Sequence, residues 1–570
     1  MRNKTKTIAF VVIFLTIPLW SSAQEESPSG TPAVKAESAD SSELATPAPS
    51  SESFNQVIDR VVEREHSFVA QMRHMHPLLE TYIQNLKNNH DHNLVPVSDE
   101  YFLGRLDTSN GIDNRWFMKQ PGFGKRFLNR LMLDEDFQKN FYDFTFVRRE
   151  FLGEVRCLVI DVQPKNHMSD GRFLGRIWVE DQDYNIVRIN GTYSPNQRNS
   201  YLHFDSWRLN LRPGVWLPAY IYSEESDSKL RNNKSSQTPH FKAQTRLWDY
   251  DQQRLAYNQE FTQIQVDSLQ TVRDQSESAQ DATPIEAERA WERQAEENAV
   301  ERLQKIGLLA PPGDVDKVLQ TVVNNLIVTN NLTNVPDVRC RVLLTEPFES
   351  FTIGRTIVVS RGLLDVLPDE ASLAMVLAHE LSHIALGHRF DTNLAFNDRL
   401  FFPDEKTFER LDFTRDAVDE EAADQRALSL LAHSPYKDKL STAGLFLEAL
   451  QTRAPELKHL IRPHLGNSLA GGKSIRMSAL LSSAPQLEMR RVDQIAALPL
   501  GGRVRLDPWS NRVELLKAKP VALLSAREKM PFEVTPFFPY VTRLQPAAPD
   551  KVAVAPLGQQ ESATFPAARE

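Results

Sequence analysis

The chain has 570 residues, 41% of them hydrophobic and 25% charged, with a net charge of -9. That length predicts roughly three to four domains or subdomains, and the ordinary apolar-to-charged balance supports a sizeable core. A mildly acidic chain with no basic tract argues against a nucleic-acid partner.

Arg2, Lys4 and Lys6 precede the apolar stretch Ile8 to Trp20, and Ser21-Ser22-Ala23 then supplies small residues. The pattern predicts a secretory signal peptide over 1–23, hence a periplasmic or secreted chain. No later run approaches the ~18 apolar residues of a spanning helix, so the mature protein is expected to be soluble. Residues 24–50, rich in Ser, Pro, Ala and Glu, read as a disordered linker. Cys157 and Cys340 lie far apart in sequence and are expected to be two separate buried thiols.

The next domain is expected over 51–270. Apolar residues from Phe54 to Leu86 recur at helical spacing, which predicts one or two amphipathic helices with a break near Pro77. From Phe141 to Tyr250 the period becomes two. Phe173 to Val179 and Ile186 to Ile189 flank the turn-like segment 181–185, and Tyr201 to Leu211 and Val215 to Tyr222 flank Arg212-Pro213-Gly214. These are consecutive hairpins of an antiparallel meander. The order of strand, Pro164-Lys165-Asn166 loop and Gly171 to Val179 loosely resembles the half-barrel of bacterial lipoprotein carriers. The resemblance implies a concave apolar surface for acyl chains or an extended peptide, and contact with envelope lipoproteins. The alternative is a docking β-domain with a filled interior.

Residues 271–312 are expected to form a helical linker, because Gln275 to Gln304 carries Glu and Arg spaced for pairing along a helix. Pro311-Pro312-Gly313 should end it. Val315 to Val328 reads as a helix, and Val338 to Thr345 and Phe351 to Val359 as strands. Helix is expected again at Gly444 to Gln451 and Arg476 to Leu481. A hairpin over Arg503 to Leu516 lies in a C-terminal region, 491–545, and a disordered tail is expected over 546–570.

The densest chemistry lies in His379-Glu380-Leu381-Ser382-His383. Pro368-Asp369-Glu370 reads as a helix start. On that helix, residues four apart share a face, so His379 and His383 can hold one metal ion while Glu380 reaches a water beside it. A catalytic zinc site needs a third protein ligand. His388 stands nine residues after His379, about half a turn out of phase on a continuous helix, and is expected behind the ligands rather than among them. Leu386 and Arg389 break the H-E-x-x-H-x-x-G-x-x-H pattern. Glu420 and Asp424 project from one face of a downstream helical segment. Glu420 can complete a His-His-Glu site, and Asp424 can accept a hydrogen bond from a ligand histidine's other nitrogen.

The string from Phe351-Thr352-Ile353-Gly354 through Ile357 to Leu364 and on to Leu377 to His383, followed by Glu420-x-x-Ala423-Asp424, resembles the prenyl-protease/HtpX family of zinc metallopeptidases, metallopeptidase family forty-eight. The resemblance covers roughly 315–450. It implies one zinc ion per chain held by His379, His383 and Glu420, with Glu380 as catalytic base. The family's histidine and arginine near the end of the domain would be His464 and Arg476. With Tyr436, these two are the candidate donors to an oxyanion. The strand before the active-site helix could pair with an extended substrate.

The fold class is therefore expected to be α+β and multidomain. An N-terminal antiparallel β-meander or half-barrel with helices should precede a mainly helical gluzincin metallopeptidase domain with a small sheet, over 313–490. The expected function is an exported zinc metalloendopeptidase acting on proteins or peptides, with envelope protein quality control as its expected setting. The alternatives are a non-cleaving carrier or scaffold, and a latent protease whose cleft is covered by the N-terminal domain or by Asn397 to Asp416. Oligomeric state has no signal in the sequence.

Overall fold

A computed structural model of the chain describes residues 53–544 apart from internal stretches, of which 117–132, 226–239, 251–282 and 390–410 are the longest. The expected signal peptide, linker and C-terminal tail lie outside the described residues, as does most of Asn397 to Asp416.

Helix α1 (Phe54–Met72) begins at a capping box: the Ser53 hydroxyl accepts from the Gln56 N–H, and the Gln56 side chain accepts from the Ser53 N–H. Ten antiparallel strands follow. They are β1 (Leu78–Asn88), β2 (Leu94–Asp107), β3 (Asp113–Trp116), β4 (Tyr142–Leu152), β5 (Val155–Pro164), β6 (Phe173–Glu180), β7 (Ile186–Tyr193), β8 (Leu202–Arg212), β9 (Val215–Glu225) and β10 (His240–Trp248). Their order is β3-β2-β1-β10-β9-β8-β7-β6-β5-β4. The meander read from sequence is thus β4 to β10. The second helix expected up to Leu86 is instead strand β1. It lies between β2 and β10 with Leu78 opposite both Arg105 and Trp248. Both its faces are buried, so its sequence lacks the polar-out alternation that marks a strand.

One face of the sheet is covered by α1, whose Val57, Ile58, Val61, Phe68 and Met72 pack with Leu79, Ile177, Leu217 and Leu247. Glu65 anchors this helix. Its carboxylate takes two bonds from the Arg208 guanidinium at 2.6 and 2.8 Å, and that guanidinium lies 3.8 Å from the Phe68 ring centre. The opposite face, with Tyr82, Trp207, Tyr220 and Trp248, shares one continuous core with the C-terminal half.

In that half α2 (Pro284–Lys305) and α3 (Asp314–Thr329) lead into β11 (Arg339–Leu343), β12 (Ser350–Ile353) and β13 (Thr356–Ser360). Helix α2 ends before Pro311-Pro312-Gly313, which instead precedes α3. Strand β13 lies in the middle, parallel to β11 and antiparallel to β12. The single strand expected over Phe351 to Val359 is a hairpin, because Gly354 adopts φ +55° and reverses the chain. Helices α4 (Arg361–Val366), α5 (Glu370–Leu386), α6 (Ala417–Ala432), α7 (Leu440–Arg453) and α8 (Lys458–Ile461) follow. The expected helix near Arg476 is a short 3-10 segment, Ser478–Ser483, and the late hairpin pairs Val504–Leu506 with Val513–Leu515.

Charged groups cross between the large sheet and this half. Arg361 is fully buried and bonds Glu80 of β1 at 2.7 Å and Glu346 at 2.5 Å. Glu80 also accepts from the Glu346 N–H at 2.6 Å and the Tyr101 hydroxyl at 2.8 Å. Asp99 of β2 accepts from the N–H groups of His459 and Leu460 at 3.0 and 2.9 Å. Two strands of the sheet therefore hold the segments just before β12 and just before His464. Among the described residues, no helix is long and apolar enough to cross a membrane.

Candidate metal centre

Helix α5 starts at Asp369, whose carboxylate accepts from the Ser372 N–H at 2.8 Å, and ends at Gly387, where φ is +73°. It is buried along most of its length, which brings His379, Glu380 and His383 inside the protein. Helix α6 starts at Asp416, which accepts from the N–H groups of Val418 and Asp419. Packing of α6 on α5 brings Glu420 to the two histidines, with its Oε2 3.4 Å from His379 Nε2 and its Oε1 3.3 Å from His383 Nε2.

The outer nitrogens of the histidines are engaged. Nδ1 of His379 donates to Asp424 Oδ1 at 2.8 Å, and Asp424 Oδ2 accepts from the Met477 N–H at 2.8 Å. Nδ1 of His383 lies 2.8 Å from Nδ1 of His388. The left-handed Gly387 turns the chain back so that His388 reaches His383, and its Nε2 lies 3.5 Å from Asp419. With Nδ1 protonated on both ligand candidates, the two Nε2 atoms face each other as bare acceptors at 3.1 Å. Oε1 of Glu420 is buried and has no hydrogen-bond donor. His379, His383 and Glu420 have their ligand atoms within 4.8 Å of one another. Converging lone pairs without donors call for a cation, and two imidazoles with one carboxylate form a donor set that suits zinc.

Electrostatics agree with the geometry. Burial and the Arg476 charge oppose protonation of His379, yet Asp424, Glu420 and Glu380 raise its pKa above the usual imidazole value. Burial opposes ionisation of Glu420, but the two histidines and Arg476 overcome it and hold that carboxyl well below the ordinary range. Burial lowers the pKa of His388.

Glu380 lies beside this cluster. Its Oε1 accepts from the Ser350 hydroxyl at 2.7 Å and from Arg476 Nη1 at 3.0 Å. Arg476 Nε also stands 3.0 Å from Glu420 Oε2, and its Nη2 donates to the Asn467 carbonyl at 2.8 Å. Of the three candidate oxyanion donors, Arg476 is the one brought to Glu380. Tyr436 is placed elsewhere: its hydroxyl donates to Glu370 at 2.9 Å, about 13 Å up α5 from His379. The backbone N–H of His464 donates to Glu349 at 2.7 Å, and its side chain lines a cavity of about 30 Å³ with Tyr101, His459 and Arg462. Burial pushes the Glu349 carboxyl up to about 7, moderated by the N–H groups of His464 and Leu465.

Ser350 and Asn467 carried no signal in the sequence. They are ordinary polar residues whose proximity to Glu380 and Arg476 arises only from the tertiary fold.

Residues 315–398 match the family described as peptidase family M48. No curated protein matches the chain. Among solved structures it is similar to the crystal structure of a DUF1329 family protein from Desulfovibrio piger, with 11% identity, 34% of this chain and 90% of that chain covered, and a TM-score of 0.17. That likeness is too slight to argue from. The matched segment contains the hairpin β12–β13 and all of α5 with His379, Glu380 and His383, and it is this stretch that is similar to peptidase family M48, a family of metallopeptidases.

Proposed function

We propose that the chain is an exported zinc-dependent endopeptidase that hydrolyses peptide bonds in extended or unfolded protein segments, with a role in envelope quality control. The observation that carries this reading is the convergence of His379, His383 and Glu420 beside Glu380. The N-terminal sequence supports export. A bound zinc ion would polarise the scissile carbonyl and acidify the attacking water.

The chain's own residues do the rest. Glu380 accepts the proton of the water and passes it to the leaving amine. Asp424 and His388 fix the ring orientation of His379 and His383. Arg476, within 3.0 Å of Glu380, offers its guanidinium to the oxyanion that forms on the substrate. Strand β12 is an end strand of the small sheet, and a substrate backbone can add to its outer side.

The test uses the full mature chain. Zinc should co-purify in one equivalent, and casein should be cleaved by the wild type but not by Glu380→Gln. A folded chain that takes up no zinc would sink the metal assignment. Stoichiometric zinc without Glu380-dependent cleavage would favour a non-cleaving scaffold.

A further inference from the structure

The edge of β12 next to the cleft is occupied by the chain itself. The Ser360 N–H donates to the Glu349 carbonyl at 2.9 Å, and the ladder then pairs Phe351 with Val358 and Ile353 with Thr356. Alternate residues of an antiparallel strand bond to the same neighbour, so the main-chain groups of Ser350 and Thr352 face away from β13, where the Gly466 backbone packs beside the Ser350 carbonyl. On that side stands Arg415, just before α6. Its Nη2 lies 3.4 Å from the Thr352 carbonyl and 3.2 Å from the Thr352 hydroxyl, and its Nη1 donates to the Arg389 carbonyl just past α5.

The backbone of Arg415 is clamped at two points by Asn467. The Arg415 N–H donates to Asn467 Oδ1 at 2.9 Å, and Asn467 Nδ2 donates to the Arg415 carbonyl at 3.0 Å. Two residues earlier Phe413 stacks on Phe351 of the same strand, ring centres 4.8 Å apart. The contacts close a ring: Thr352, Arg415, Asn467, Arg476, Glu380, Ser350 and back to β12. A substrate strand would need the Thr352 carbonyl as acceptor for its own N–H, and that carbonyl is taken.

We propose that Arg415 is the gate of this edge: its guanidinium must leave Thr352 before an extended polypeptide can pair with β12. The inference rests on the peptidase reading of the cleft. Its bonds to Thr352 are long and its Nε is buried with no acceptor, so leaving Thr352 forfeits about one charge-assisted hydrogen bond and no more.

The test reads binding separately from cleavage. In a Glu380→Gln background, zinc-loaded full-length chain is titrated into fluorescein-labelled casein and followed by anisotropy. Arg415→Ala should tighten Kd roughly tenfold, the scale of one charge-assisted hydrogen bond no longer competing. An unchanged or weaker Kd, in a variant whose circular dichroism and Tm match the parent, overturns the gate. Arg415→Lys keeps the charge but not the forked geometry. It should tighten binding by a smaller factor and serves if the alanine variant does not fold; no tightening there overturns the gate as well. With Glu380 restored, Arg415→Ala should lower KM and change kcat less than about twofold. Tighter binding without Glu380-dependent cleavage by the wild type would leave the gate standing and remove the peptidase reading. Cleavage with Kd unaffected by Arg415 would do the reverse.

Discussion

The Ser350 hydroxyl donates to Glu380 Oε1 across 2.7 Å, so strand β12 fixes the position of that carboxylate. Losing that contact should cost turnover without costing metal. Ser350→Ala is expected to lower kcat on casein by about tenfold, while Glu380→Gln should lower it by at least about 100-fold. Both variants should retain one equivalent of zinc by atomic absorption. Equal activity of Ser350→Ala and wild type would remove Ser350 from the site.

Asp424 holds His379 through Nδ1 and is itself held by the Met477 N–H. Asp424→Ala leaves that imidazole free to rotate and to shift its proton. Zinc affinity, read by competition with a chromophoric chelator, should weaken by about 10–100-fold. The same titration with His388→Ala reports on His383, and an unaltered affinity in both would show that the outer contacts do not orient the ligands.

Glu349 predicts a pH dependence of stability. Its folded pKa, about 7, lies above the ordinary carboxylate value of 4.5, so the folded chain keeps a proton that the unfolded chain has lost. Stability from this group is therefore full below about pH 4.5, falls as pH rises towards 7, and is flat above. The span is up to about 3 kcal/mol. Oε2 of Glu349 is buried without a hydrogen-bond partner, a suitable seat for that proton. In urea titrations from pH 5 to 8, Glu349→Gln should be flatter than wild type. Parallel curves would sink the assignment.

Arg361 makes a fourth case. It is fully buried against Glu80, Glu346 and, at 3.6 Å, Asp365. Arg361→Met would leave those acids without their cation, at a cost of about 3–5 kcal/mol. Because Glu80 belongs to the large sheet and Glu346 to the segment before β12, both halves should melt together in one calorimetric transition, in wild type and variant alike. Two separated transitions would show that the halves are energetically independent.

What the sequence disclosed follows from the range of the interactions. The phase of His379 and His383 on a helix and the shared face of Glu420 and Asp424 are local, and the residues report them directly. The hairpin at Gly354 is hidden because β-branched residues on both sides make it read as one strand. Strand β1 was read as helix because burial on both faces erased its period. Arg476 was within reach only through a family resemblance, since 96 residues separate it from Glu380. Arg415 and Asn467 gave no signal, because what matters about each is a contact with a main-chain carbonyl or amide that no side-chain pattern records.

Cys157 in β5 and Cys340 in β11 are both free and buried, and burial pushes each thiol up to about 12. Neutral, buried sulfhydryls are poor nucleophiles, so in the native chain Cys157 and Cys340 should react slowly with alkylating reagents at ordinary pH. The large sheet thus carries one silent probe and the small sheet of the C-terminal half another. The order in which the two become reactive with a maleimide under mild denaturant records which sheet opens first, with no cysteine introduced into the protein.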